Sequence, residues 1–314
     1  MYQENSSGFD LLVVIGPTAS GKTSVAAVLA SRLNGELISA DSRQVYRQMD
    51  LGTGKDLNEY IVQGKQIPYH LIDIADPGHK YNVFEYQRDF TIVLNDLRSR
   101  NKFPVVCGGS GMYIDSIVSG YKMVEVPSDP LFRASLEEKS LEELAELLSR
   151  YKKLHNKTDI DTKKRAIRAI EIERYISSHN KNQTYSPVIK PLLVGVLFSR
   201  EKRRERITAR LKDRLDKGLV EEVRQLLNQG TDPEILIYYG LEYKYITLFI
   251  TGKLSYGEMF TSLETAIHQF AKRQMTWFRG MERKGIKIHW MDGEMPLESK
   301  IEKVMSLIKA GYFR

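Results

Sequence analysis

The stretch Gly16-Pro17-Thr18-Ala19-Ser20-Gly21-Lys22-Thr23 restricts this chain more than any other. It fits G-x-x-x-x-G-K-[ST] at every fixed position, and such a loop works only between a buried strand and the N-terminus of a helix. Both flanks are present. Leu11-Leu12-Val13-Val14-Ile15 is a continuous apolar run of strand length and reads as a buried parallel strand. Beyond the loop, Val25, Val28, Leu29 and Leu33 recur at helical spacing and stop at Asn34-Gly35, a usual C-terminal signal. The glycines let backbone N–H groups turn toward an anion, the helix dipole adds partial positive charge, Lys22 adds a full one, and the Thr23 hydroxyl can ligate Mg²⁺. The expected ligand carries a diphosphate or a triphosphate.

Further elements follow the same alternation. Glu36 to Ala40 reads as a second strand, Tyr69 to Ile74 and Phe103 to Cys107 as two more, and Val83 to Arg100 as the helix between those two. After Gly120 the periodicity changes. Leu131 to Tyr151 and Thr162 to Ser177 read as amphipathic helices, His179 to Pro187 as a polar turn, and Leu192 to Phe198 as a new strand. Arg203 to Gln229, Tyr256 to Arg283 and Leu297 to Phe313 complete a helix-rich second half. The expected fold class is α/β, a P-loop NTPase-like parallel sheet flanked by helices, with a helical insertion domain. The expected divisions are 9–125 for the first part of the core, 126–190 for the insertion, and 191–314 for core completion and C-terminal helices.

Charge is unevenly placed. From Arg150 to Arg214 there are 19 Lys and Arg against 7 Asp and Glu, whereas the whole chain of 314 residues carries a net +7. That excess suits a polyanion-binding surface or, more plainly, a set of solvated helix faces. No apolar run approaches the roughly 18 residues a membrane span needs, and the N-terminal stretch lacks a signal core, so a cytoplasmic protein is expected. The single cysteine, Cys107, cannot form an internal disulfide and fits a buried strand end better than a nucleophile. His70 and His79 lack zinc-ligand spacing, which leaves magnesium as the expected metal.

Two segments lie where open α/β sheets place their ligands, at the carboxyl ends of strands. Asp41 follows the second strand, where a carboxylate can hold Mg²⁺, accept a proton, or cap a helix. Gly108-Gly109-Ser110-Gly111 is a second glycine-rich turn on the same edge.

Together, GPTASGKT at 16–23, ELISADSRQVYRQMDLGTGK at 36–55, HLIDIADP at 70–77, GGSGMY at 108–113 and AKRQMTWFRG at 271–280 resemble the tRNA dimethylallyltransferase family of the bacterial MiaA type, almost end to end. The resemblance implies transfer of a dimethylallyl group from dimethylallyl diphosphate to N6 of the adenosine beside the anticodon, tRNA position 37, with release of pyrophosphate. It implies that Gly16 to Thr23 cradle the diphosphate with Mg²⁺ on Thr23, that Asp41 is the general base, and that Ser110 contacts the reacting groups. It further implies that Asp41, Ser42, Arg43, Gln44, Arg133, Lys164, Arg165 and Arg168 contact the anticodon stem-loop of tRNA, and that the protein acts as a monomer.

There are departures from the family pattern. Where many members have an arginine and then valine-glycine-tyrosine, this chain has Ile237-Tyr238-Tyr239-Gly240-Leu241, and a usual threonine-arginine is Ile267-His268. Lys272, Arg273 and Arg279 are the candidate replacements. Along 256–283, Phe260, Leu263, Ile267, Phe270 and Trp277 read as packing residues. Three rival functions share these motifs: a P-loop small-molecule kinase, an RNA-binding protein with a regulatory nucleotide site, and an adenylate isopentenyltransferase.

Overall fold

Strand β1 (Leu11–Ile15) has all five residues buried, as expected of a strand covered on both faces. A computed structural model of the chain describes residues 8–121, 123–152, 158–179 and 187–312. The expected turn at 179–187 falls mostly outside them. After β1 come α1 (Lys22–Arg32), β2 (Gly35–Ala40), a short antiparallel pair β3 (Ile61–Val62) and β4 (Lys65–Gln66), β5 (Tyr69–His70), α2 (Val83–Ser99), β6 (Phe103–Gly108) and α3 (Gly111–Val118). The residues Tyr121–Ser186 form a compact unit of their own, with α4 (Pro130–Glu137), α5 (Leu141–Ser149) and α6 (Lys163–Ser178). The other unit resumes with β7 (Pro191–Leu197), α7 (Arg200–Asp216), α8 (Leu219–Asn228), α9 (Pro233–Tyr239), α10 (Leu241–Ile250), α11 (Tyr256–Arg283), β8 (Ile288–Asp292) and α12 (Leu297–Tyr312).

The larger unit is the expected P-loop NTPase-like α/β fold. Its six-stranded sheet runs β5-β2-β6-β1-β7-β8 with every pairing parallel. Because side chains alternate along a strand, β1 serves two cores. Leu12 and Val14 pack with Val25 and Leu29 of α1 and Ile301 and Val304 of α12. Leu11, Val13 and Ile15 pack on the opposite face with Phe90 of α2, Ile114 of α3 and Phe278 of α11. A third cluster, including Tyr46, Leu211, Tyr239, Tyr243 and Leu263, joins α7 to α11 and covers the loop after β2. The smaller unit has its own core of Leu136, Leu144, Leu148, Ala166, Ile167 and Ile170.

Several expected elements are broken, each for a local reason. The Tyr69 to Ile74 strand shrinks to Tyr69–His70 because Leu71 and Asp73 have φ values of 61° and 56°, which end an extended strand. The Arg203 to Gln229 helix divides into α7 and α8 at Gly218, whose φ is 97°. The 131–151 stretch divides at Ser140, whose side chain forms a capping box with Glu143 and so starts a new helix. Strand β8 corresponds to no element expected from the sequence.

Candidate active site

Strand register builds the site. Ala40 of β2 lies opposite Gly108 of β6, and Gly108 lies opposite Ile15 of β1. The next residues, Asp41, Gly109-Ser110 and Gly16, therefore leave the sheet side by side at its carboxyl edge. The approach is close enough to need bare backbone: a Cβ on Gly16 would sit 2.5 Å from Ser20 Oγ and 2.8 Å from the Val196 carbonyl oxygen. Gly21 caps α1 at φ 74°, a left-handed conformation that turns the loop into the helix.

The loop so formed has the chemistry of an anion cradle. Ser20 Oγ is buried without a hydrogen-bond partner among the described residues, and a buried hydroxyl normally has one. Burial draws Lys22 below the ordinary ammonium range, opposed in part by the Asp41 carboxylate. An anion would satisfy Ser20 and restore Lys22 together. Nearby, burial pushes the Cys107 thiol up to about 12, so this sulfur is a poor nucleophile.

Asp41 Oδ1 accepts from the Arg43 backbone N–H at 2.9 Å, closing an Asx turn. No helix follows, so Asp41 is not a helix cap. Ser110 Oγ accepts from the Ser42 backbone N–H at 2.9 Å and lies 3.3 Å from Ser42 Oγ, which joins the two strand-end turns. Gln44 Oε1 accepts from Ser39 Oγ and its Nε2 donates to the Gly54 carbonyl, so its amide is used in holding the 52–54 turn. The Arg43 guanidinium stands 5.5 Å from the centre of the Tyr239 ring.

Thr18 to Thr23 and Asp41 to Gln44 line one cavity of roughly 880 Å³. Gly16 and Pro17 sit outside its lining. Sequence reasoning missed two contributors. The first is Gln274 of α11, which is buried and accepts from the Thr18 backbone N–H at 2.9 Å while donating to the Gly109 carbonyl at 2.9 Å. It ties the phosphate loop to the Ser110 turn.

The second is a row on α7: Arg206, Arg210 and Arg214 recur every four residues and line the same cavity. Arg206 Nε donates to the Ala19 carbonyl at 2.9 Å, with its guanidinium 4.4 Å from the Phe198 ring centre. Arg210 pairs with Asp56 at 3.0 Å. Arg214 is buried between Asp56 and Glu242, at 3.7 and 4.0 Å. The lower part of the basic band thus turns inward. Of the three candidate replacements for the family arginines, Arg273 lines the cavity, while Lys272 and Arg279 are exposed and lie outside its lining.

The remaining expected tRNA residues belong to the smaller unit. Arg133 grips Glu171 with two hydrogen bonds of 3.0 and 2.7 Å, and Arg168 pairs with the same carboxylate while donating to the Val126 carbonyl. Burial opposes ionisation of Glu171, but Arg133, the Asp129 N–H and Arg168 outweigh it and hold the carboxyl at about 2. Arg165 pairs with Asp161 on the exposed side of α6, and Lys164 is exposed beside it.

No cluster of three or more metal-ligating side chains occurs among the described residues. The donor set that is present, the Thr23 hydroxyl and the Asp41 carboxylate beside an anion cradle, fits Mg²⁺, which usually keeps its waters and takes substrate phosphates as ligands.

Comparison with known proteins gives a consistent outcome. The family described as IPP transferase matches residues 44–281, and that described as isopentenyl transferase matches residues 9–72. The chain is 60% identical over 300 residues to tRNA dimethylallyltransferase 2 of Phocaeicola vulgatus, covering 96% of this chain and 98% of that one. It is 48% identical over 309 residues to tRNA dimethylallyltransferase 2 of Trichlorobacter lovleyi, covering 98% and 99%. In structure it resembles the tRNA isopentenylpyrophosphate transferase of Bacillus halodurans, with a TM-score of 0.70, 29% identity and 96% of each chain covered.

Proposed function

The chain belongs to the IPP transferase family, and on that premise we propose the reaction in full: a dimethylallyl group passes from dimethylallyl diphosphate to N6 of the adenosine at tRNA position 37, and pyrophosphate leaves. The protein is an enzyme, a prenyltransferase that modifies tRNA. The observation that carries the fuller reading is the single cavity lined both by the anion cradle after β1 and by the carboxylate after β2, with β6 between the two strands. Ser20, Gly21, Lys22 and Thr23 hold the diphosphate, and Arg206 and Arg210 face it from α7. Negative charge grows on the leaving group as the allylic carbon–oxygen bond breaks, so these fixed donors favour the transition state over the ground state. Thr23 would hold Mg²⁺, which when bound would neutralise more of that charge.

Asp41 takes the proton from the adenine amine as it attacks. An exocyclic amine is a weak nucleophile because its lone pair is delocalised, and loss of the proton during attack restores its power. Ser110, fixed by Ser42, orients the reacting groups. The acceptor is the anticodon stem-loop, bound in part by Arg43, Arg133, Lys164, Arg165 and Arg168. Cradle and base come from one chain, which supports action as a monomer, and the tRNA substrate supports a cytoplasmic setting. Among the described residues no helix is long and apolar enough to cross a membrane.

The test is one assay with three acceptors. Purified protein, Mg²⁺ and dimethylallyl diphosphate are incubated with unmodified tRNA or with AMP, and in parallel ATP is offered with a small-molecule acceptor. Prenylated adenosine in digested tRNA is the expected product. Prenyl-AMP alone, or phosphate transfer from ATP, would replace this reading with a rival.

A further inference from the structure

Helix α11 carries a stripe that the proposed reaction leaves unused. Arg273, Trp277, Gly280 and Lys284 are spaced four, three and four residues apart, so they share one face, and with Asp115, Thr276 and Met281 they line a groove of roughly 390 Å³. Trp277 lies in the middle and is 37% exposed, whereas its neighbour Phe278 is fully buried. The indole is therefore not the packing residue that its helical spacing suggested. It is nevertheless held firmly: a Cβ on Gly111 would fall 2.4 Å from Trp277 Cγ, so the ring lies against bare backbone one residue beyond Ser110. Arg273 lines both the groove and the larger cavity, so the two lie on either side of one side chain.

We propose that this groove is a base-stacking subsite: Trp277 receives the face of an unpaired nucleobase next to the acceptor adenosine, with Arg273 and Lys284 beside the RNA backbone. The proposal rests on tRNA as the acceptor. An adenosine drawn out of a stacked loop leaves its neighbours without stacking partners, and a partly exposed indole one helical turn from Arg273 of the cavity lining supplies one. An aromatic face between two cationic side chains is a common means of holding single-stranded nucleic acid. The groove has the chemistry for this occupant: an apolar ring face at its centre, a guanidinium at one end, and an ammonium, paired with Asp115 at 2.8 Å, at the other.

The experiment compares wild type, W277F and W277L, using anticodon stem-loop RNAs that are intact or carry an abasic site immediately 5′ or 3′ of the acceptor. Base–aromatic stacking implies that W277L weakens binding of the intact RNA by roughly 5- to 100-fold and that W277F loses much less. One abasic RNA should bind wild type weakly and lose little more with W277L, and KM for dimethylallyl diphosphate should stay unchanged in both variants. Equal loss on intact and both abasic RNAs would overturn the proposal, as would no loss at all. A raised KM for dimethylallyl diphosphate would instead assign the groove to the prenyl chain and equally overturn it. Should W277L fail to fold, W277F and the abasic RNAs on wild type still decide the matter. If wild type prenylates tRNA while the Trp277 variants behave as wild type, only the subsite falls. If wild type fails to prenylate tRNA, the proposed reaction falls with it.

Discussion

At the scale of single residues, the site depends on a few atoms whose loss has separable effects. On the proposed reaction, Asp41→Ala should lower turnover by roughly 10²–10⁴-fold while leaving tRNA affinity nearly intact, because the part proposed for the carboxylate is to take the proton and not to grip the RNA backbone. Single-turnover rates alongside RNA binding check this, and wild-type turnover would remove Asp41 as the base. Gln274→Leu leaves the Thr18 N–H and the Gly109 carbonyl without their partner. Each buried polar group so orphaned costs about 1–3 kcal/mol, so KM for dimethylallyl diphosphate should rise about tenfold or more. Lys22 and Thr23 could be proposed from sequence because their run has a spacing that carries anion binding, and Asp41 could be placed beside them by its position at a strand end, its part as base being what the family resemblance implies; all three line one cavity. Gln274 stands in the AKRQMTWFRG run, but its role could not be read there, because its partners Thr18 and Gly109 lie more than 150 positions away.

At the scale of elements, α7 and α6 divide the basic band between two uses. Three arginines of α7 line the cavity, and those of α6 pair with acidic residues of the smaller unit. Arg165→Ala should weaken tRNA binding and make its salt dependence shallower by about one charge, without altering KM for dimethylallyl diphosphate. Arg168→Ala should do the same and also lower the melting temperature, because Arg168 is one of two arginines on the buried Glu171. Binding isotherms at several salt concentrations and thermal melts separate the two. Counting charge could find the band but could not show which arginines turn inward, since that depends on how α7 lies against the phosphate loop. The same limit hid β8, where Ile288-His289-Trp290-Met291-Asp292 mixes polar and apolar residues and becomes a strand by pairing with β7.

At the scale of the whole molecule, each unit contains a carboxylate that makes stability depend on pH. In the larger unit the Arg100 guanidinium, aided by His70, holds Glu36 at about 2 against the opposing effect of burial. In the smaller one Glu171 is held at about 2 as well. Both folded values lie below those of the unfolded chain, so their contribution is complete above about pH 4.5 and fades as pH falls toward 2. Glu36→Gln and Glu171→Gln should each lower stability near neutrality by about 1–2 kcal/mol, given partner arginines that are partly exposed, and flatten the acid limb. Melting temperatures between pH 3 and pH 7 would show it.

The central strand pair carries a further implication, for synthesis of the chain. β1 bonds to β7 through partners such as Leu11 and Pro191, roughly 180 positions apart. A ribosome that has just released the phosphate loop has not yet made the strand that closes one side of it. Until it does, β1 offers a bare apolar edge, the kind of surface that sticks to other nascent chains. Fragments ending near residue 120 should therefore aggregate, and folding of the larger unit should be slow and late, completed only when β7 and β8 have emerged.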